Sequence, residues 1–147
     1  MTERRVILLL SGPNLNLLGQ REPDIYGRET LDDHVAAARR AAEAAGFAVE
    51  HLQSNSEGDL IDAIQAARHR CSAIVINPGA LGHYAWGLHD ALATFDGPVV
   101  ELHISNPNAR ESWRHRSVVA PVATGTIAGF GGHGYVLAIE AVHRLLA

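Results

Sequence analysis

An α/β fold with a parallel sheet is predicted by three features of this 147-residue chain. Short continuous apolar runs, residues 6–10 and 73–76 among them, lack the alternation of a half-exposed strand and read as strands covered on both faces. Amphipathic helical patterns separate these runs one by one, the alternation that builds crossover units. Capping residues and glycines mark the boundaries between the two patterns.

The elements follow in order. Residues 6–10 (Val-Ile-Leu-Leu-Leu) form the first strand. A helical pattern resumes only near Leu31, whereas strand-to-helix connections usually take about 2–6 residues. The segment from Ser11 to Gly27 is therefore expected to be a functional loop, a lid, and it carries Asn14, Asn16, Arg21 and Tyr26. Thr30 opens the first helix as a capping box with Asp33. Leu31, Val35, Ala38, Ala42 and Ala45 give its apolar face, and Gly46 stops it. Residues 47–52 are the second strand. Ser56 caps a second helix with Leu60, Ile61, Ile64 and Ala67 inward. A third strand at 73–76 precedes a third helix at 84–95, and residues 99–104 are the fourth strand. Asn106 and Pro107 start a short helix, with proline in its first turn. A weak fifth strand lies between 118 and 127, and residues 135–146 close the chain as a helix. Five strands in this length suit a flavodoxin-like sheet of order 2-1-3-4-5 with helices on both faces.

In such sheets ligands sit beyond the carboxyl ends of the strands. The polar residues gather there. Asn14 follows strand one, Ser54 and Asn55 follow strand two, and Asn77 and His83 follow strand three. Glu101, His103 and Ser105 end strand four, with Arg110 and Arg114 just beyond.

Bulk properties narrow the function. A chain of this length makes one catalytic domain, residues 1–147, burying about 70% of its unfolded surface. The net charge is −4 with no basic stripe, so no nucleic-acid partner is expected. No apolar run reaches the ~18 residues of a membrane span. Met1 to Arg5 lead straight into the first strand, too short an apolar run for an export signal, which predicts a cytoplasmic protein. Cys71 is alone and precedes an apolar strand, as a small core residue would. All twelve basic residues are arginine, so no side-chain Schiff base and no phosphate-loop lysine are available.

Gly129-Phe-Gly-Gly-His-Gly134 contains the glycine pattern of dinucleotide sites, but it precedes the last helix with no second crossover unit to follow. Helix–sheet packing or backbone contact with an anion is the expected use. Nine histidines show no metal-ligand spacing, so no metal is expected. His34, His51, His69 and His143 fall away from the rim and read as surface residues. His103 closes an apolar strand at the rim between Glu101 and Ser105, where a catalytic role is expected. No nucleophile elbow is present. Histidine, tyrosine, arginine and amides together suit proton transfer at a carbon beside a carbonyl, with an enolate to stabilise.

The same residues carry a family resemblance. The blocks are Gly12-Pro-Asn-Leu-Asn-Leu-Leu-Gly19, Arg21-Glu-Pro-Asp-Ile-Tyr-Gly27, Gln53-Ser-Asn55, Ile76-Asn-Pro-Gly-Ala80 with His83, and Glu101-Leu-His-Ile-Ser-Asn106, followed by Arg110, Arg114 and Gly134-Tyr135. Together they resemble the type II 3-dehydroquinate dehydratases of the shikimate pathway, over essentially the whole chain. The resemblance implies cofactor-free dehydration of 3-dehydroquinate to 3-dehydroshikimate, in biosynthesis or quinate catabolism, by a dodecamer built from trimers. It also implies roles. Tyr26 would take the C2 proton, with Arg21 favouring its ionised form. Asn14 would hold a water on the enolate. His103, oriented by Glu101, would protonate the departing C1 hydroxyl. Asn77, His83 and Arg114 would bind substrate hydroxyls, the N–H groups of Ile104 and Ser105 the carboxylate, and Asp90 would reach a neighbouring subunit's site. Leu81, Gly82, Tyr84, Arg116, Val118, Gly132 and His133 depart from the usual pattern, touching the hydroxyl pocket and the subunit contacts.

Two other functions fit parts of the pattern. A lyase or isomerase acting on a related cyclic polyol acid would use the same scaffold. A flavodoxin-like flavin- or nucleotide-binding module would need a Ser/Thr/Gly phosphate loop after strand one, where this chain has Pro13 and Asn14. Glu22 and Asp24, on either side of Pro23, are alternative bases to Tyr26.

Overall fold

The computed structural model describes residues 5–147; Met1 to Arg4, expected to lead into the first strand, lie outside them. Five strands, β1 (Arg5–Ser11), β2 (Phe47–Gln53), β3 (Ala73–Asn77), β4 (Val99–His103) and β5 (Gly125–Ala128), form one sheet of order β2-β1-β3-β4-β5. Every pairing is parallel. The expected flavodoxin-like order is therefore the observed one.

Side chains alternate across a strand, and β1 shows how the sheet fills both layers. Ile7 and Leu9 join Val35 of α2 (Leu31–Ala44) and Ile139 of α5 (His133–Leu145). Leu8 and Leu10 join Leu60 and Ile64 of α3 (Glu57–Ala67) and Leu88 of α4 (Trp86–Ala93). Both sides being apolar is what made β1 read as an uninterrupted run. Thr30 and Asp33 form the expected capping box on α2, and the Ser56 side chain caps α3.

Several boundaries differ. The helix expected at 84–95 is shorter at both ends: Tyr84 and Ala85 bond back to Leu81 and close a 3₁₀ turn at Gly79–His83, and α4 ends at Ala93. The fifth strand occupies only the last part of its expected window. Val118 and Val119 are fully buried without joining the ladder; the Val118 N–H donates to the Gly82 carbonyl instead. A 3₁₀ turn containing Pro121, which has no N–H to give a neighbouring strand, then separates them from β5. The long loop after β1 is not irregular throughout, since it holds a 3₁₀ turn at Leu15–Leu17 and a one-turn helix α1 (Pro23–Tyr26).

His34 and His51 are corrected more sharply. His34 is only 3% exposed, its ring stacked on Tyr135 at 5.2 Å between centroids. It lies in helical phase with Leu31, Val35 and Ala38, so it falls on the inner stripe of α2. Gly132 makes the room, since a Cβ there would meet the His34 ring at 2.0 Å. His51 is half-buried and bonded to Ser11, whereas His69 and His143 are exposed as expected. The glycine run before α5 thus serves packing: Gly134 would likewise place a Cβ 2.8 Å from Leu102. Cys71 is half-buried against the α3–α4 layer, and burial pushes its thiol up.

Candidate active site

The rim is assembled where β1 and β3 end. The loops after them approach so closely that a Cβ on Gly12 would lie 2.3 Å from the Pro78 carbonyl oxygen. The Gly12 N–H donates to the Asn77 carbonyl at 2.8 Å. Asn14 follows in the left-handed region with φ 68°, a conformation asparagine tolerates better than most residues. Its N–H and the Gln53 amide both donate to Asn55 Oδ1, at 3.0 and 3.2 Å. The residues after β2 thereby hold the first turn of the loop.

A cavity of about 140 Å³ opens at this rim. Of the residues singled out from the sequence, Asn14, Arg21, Tyr26, Asn77, His83, His103, Ile104, Ser105 and Arg114 line it. Glu101 lies behind His103, only 1% exposed. Asp90 is separate, on the exposed side of α4 and outside the cavity lining. Arg110, placed at the rim by the sequence but given no role there, lines the cavity too. Three guanidinium groups and no carboxylate belong to the lining, a composition that favours an anionic occupant.

Tyr26 ends α1, which Pro23 starts and Gly27 stops. The turn folds Arg21 back, so that its guanidinium sits 4.7 Å from the centre of the Tyr26 ring while pairing with Glu22 at 3.0 Å. The phenol oxygen has a different partner: Arg110 Nη1 donates to it at 2.8 Å and to Ser105 Oγ at 3.1 Å. Arg110 Nε is buried without a partner. Glu22 and Asp24, the alternative bases, are exposed and do not line the cavity.

Glu101 and His103 stand two residues apart on β4 and so share one face of the sheet. His103 Nε2 lies 2.6 Å from Glu101 Oε2. Ser117 Oγ donates to the same oxygen at 2.7 Å and Thr126 Oγ1 to the other at 3.3 Å. Burial alone would push the Glu101 carboxyl up. The hydrogen bond and charge of His103, then the Ser117 and Thr126 hydroxyls, outweigh it and hold the carboxyl below its ordinary value. The carboxylate thereby fixes the orientation of the imidazole at the cavity.

His83 Nδ1 lies 2.7 Å from the Arg116 carbonyl. Because a carbonyl only accepts, Nδ1 carries the hydrogen, and a neutral His83 has Nε2 free to accept. Trp113 meets the His83 ring edge-on, and the Arg114 guanidinium lies 3.9 Å from the centre of the Trp113 ring. Among the positions that depart from the family pattern, Leu81, Gly82, Tyr84, Arg116, Val118, Gly132 and His133 are all outside the cavity lining. Arg116 contributes its backbone carbonyl to His83, a contact any residue can make.

Proton transfer to and from a small anion is chemistry these groups are equipped to perform, here on a flavodoxin-like sheet. The chain belongs to the family described as dehydroquinase class II, whose sequence pattern matches residues 5–143. It is similar to a 3-dehydroquinate dehydratase of Bacillus licheniformis, 54% identical over 91% of this chain and 92% of that protein. It is also similar to 3-dehydroquinate dehydratase 2 of Pseudomonas aeruginosa, 54% identical over 92% of each. Among solved structures, the type II dehydroquinase from Butyrivibrio crossotus superposes with a TM-score of 0.92 at 45% identity, covering 95% of this chain and 97% of that one. The type II dehydroquinase from Propionibacterium acnes gives 0.91 at 45% identity, covering 98% and 99%.

Proposed function

We propose that this chain is a hydro-lyase that dehydrates 3-dehydroquinate to 3-dehydroshikimate, the type II reaction of the shikimate pathway. The observation that carries the proposal is Tyr26, its oxygen bonded to Arg110 and its ring under Arg21, at a cavity that also holds the His103–Glu101 pair.

The chemistry proceeds in two proton transfers. Tyr26, as phenolate, takes a proton from C2, and the electrons of that C–H bond move into the neighbouring carbonyl to form an enolate. Arg110 and Arg21 counter the charge on the tyrosine. A water held by Asn14 stabilises the enolate oxygen. The enolate then collapses, the C1–oxygen bond breaks, and His103 protonates the departing hydroxyl so that water leaves. Glu101 orients His103. Asn77, His83 and Arg114 hold the ring hydroxyls, while the N–H groups of Ile104 and Ser105 take the carboxylate. The guanidinium-rich lining supports an anionic substrate.

The decisive experiment adds 3-dehydroquinate to purified protein in the presence of a chelator and follows the ultraviolet absorbance of the conjugated enone product. Growth of that band identifies the reaction, and its absence at high enzyme concentration refutes it. Borohydride gives a second check. No lysine is present to form a Schiff base with the substrate ketone, so borohydride plus 3-dehydroquinate is expected to leave the protein mass unchanged. A stable adduct of reduced substrate would point to the other, imine-forming chemistry.

The proposal extends to the assembly. The active form is a dodecamer of trimers in the cytoplasm, each chain acting as one catalytic domain over residues 1–147, with Asp90 placed to reach a neighbour's site. The exposure of Asp90 on α4, away from its own cavity, supports that arrangement. Among the described residues no helix is long and apolar enough to cross a membrane. Light scattering is expected to give a mass far above the 15.8 kDa chain. Full activity at the monomer mass would remove any role for Asp90 across an interface.

A further inference from the structure

Asn77 has an orientation that its neighbours dictate. It ends β3, is 3% exposed and lines the cavity. The Gly79 N–H, which can only donate, lies 3.3 Å from its Oδ1. The amide nitrogen therefore faces the other way, and Nδ2 donates to the Tyr135 hydroxyl at 3.2 Å. One N–H of the amide is engaged there and the second remains for the cavity.

The Tyr135 hydroxyl has a single hydrogen. Ser11 is its other hydrogen-bond partner. Ser11 Oγ in turn lies 2.9 Å from His51 Nε2. Asn77, Tyr135, Ser11 and His51 thus form one hydrogen-bonded chain, in which Gly79 sets the orientation of the Asn77 amide. The members come from β3, α5, β1 and β2, and all face the α2–α5 layer. Tyr135 is completely buried, its ring clamped by the His34 stack, so its hydroxyl has little freedom to turn elsewhere. Burial also pushes this phenol up to about 12, which keeps it neutral and its one hydrogen in place.

We infer that Tyr135 is a positioning residue for substrate binding, anchoring the Asn77 amide nitrogen so that its second N–H meets the substrate, with Ser11 and His51 extending the chain behind its hydroxyl. The inference rests on the assignment of Asn77 to substrate in the proposed reaction. Without the Tyr135 hydroxyl, the buried Nδ2 loses its partner and the amide is held only by the Gly79 N–H, so its second N–H is no longer fixed toward the cavity. The group on the substrate must itself be an oxygen able to accept.

The test is a double-mutant cycle read in KM and kcat separately. Tyr135→Phe keeps the ring and the His34 stack and removes only the hydroxyl. It is expected to raise KM for 3-dehydroquinate about tenfold, the scale of one binding hydrogen bond, with kcat little changed. In an Asn77→Ala background the same change is expected to leave KM where Asn77→Ala alone puts it, because no amide remains to position. An unchanged KM in the Tyr135→Phe single variant, or an equal further rise in the double variant, would overturn the inference and leave Tyr135 as a packing residue. If Asn77→Ala alone left KM untouched while turnover stayed measurable, the assignment of Asn77 to substrate would fall, and this inference with it. Should Tyr135→Phe not fold, Ser11→Ala cuts the same chain one link further back, at a small residue. It is expected to raise KM in the wild-type background only, and no rise there refutes the chain.

Discussion

Tyr26→Phe is expected to cut turnover by several orders of magnitude while the protein stays folded. Removing a proton beside a ketone requires a phenolate if tyrosine is the base, and a free phenol is ionised to only about one part in a thousand at neutral pH. The site answers with two cations. Arg110 donates to the phenol oxygen at 2.8 Å, and Arg21 lies over the ring at 4.7 Å. Neither guanidinium can surrender its proton to the phenolate. A positioned base typically contributes about 10²–10⁴-fold. The phenyl ring stays in Tyr26→Phe, so its packing against the apolar cluster of the α2–α5 layer is kept and the loss is chemical. Arg110→Met is expected to come close to the same loss, because it removes the hydrogen bond to the oxygen itself. Arg21→Lys is expected to lose less, since an ammonium keeps the charge and gives up only the planar stack. The measurement is turnover at saturating substrate for each variant. A Tyr26→Phe enzyme keeping about a tenth or more of wild-type turnover would place the base elsewhere.

The second large effect belongs to His103. Hydroxide is a poor leaving group, and His103→Ala is expected to lower kcat by about 10²–10⁴-fold with KM little altered. Glu101→Gln keeps the shape but removes the carboxylate that orients His103, and is expected to give a smaller loss. Glu101 also couples the site to stability. Its carboxyl is held below the ordinary 4.5, so the folded state favours the ionised form. That contribution is complete above the unfolded value and is lost as the pH falls through the lowered folded value. Thermal melts of the wild type are therefore expected to lose stability on acidification below about pH 4.5 more steeply than those of Glu101→Gln. Parallel acid curves for the two proteins would deny Glu101 this role.

Much of the fold was legible because its signals are local. The Thr30 capping box, the Ser56 cap and the apolar strands each lie within a few residues of chain. The fifth strand was misplaced because Val118 and Val119 have strand-like composition yet are buried by a connector, while Gly125–Ala128, the true strand, is a short sheet edge with little apolar content. Glu101 and His103 were legible for the same local reason: a spacing of two at the end of a strand puts both on one face. The contact of Arg110 with Tyr26 was not, because it spans 84 positions and no pattern in either segment encodes it. The contact of Asn77 with Tyr135, 58 positions on, was hidden in the same way. His34 is the instructive miss. Its place away from the rim made it read as a surface residue, but its phase with Leu31 and Val35 already placed it inside.

The cavity's charge has a kinetic consequence. The chain carries a net charge of −4, yet its mouth gathers Arg21, Arg110 and Arg114. A carboxylate diffusing in from solution meets weak repulsion over most of the surface and attraction only near the opening. At physiological salt the field of exposed charges fades over roughly 8 Å, so the capture zone is little wider than the opening itself. Dilute buffer extends that zone and concentrated salt shrinks it, so the encounter rate, rather than the chemical steps behind it, is where ionic strength acts on this enzyme.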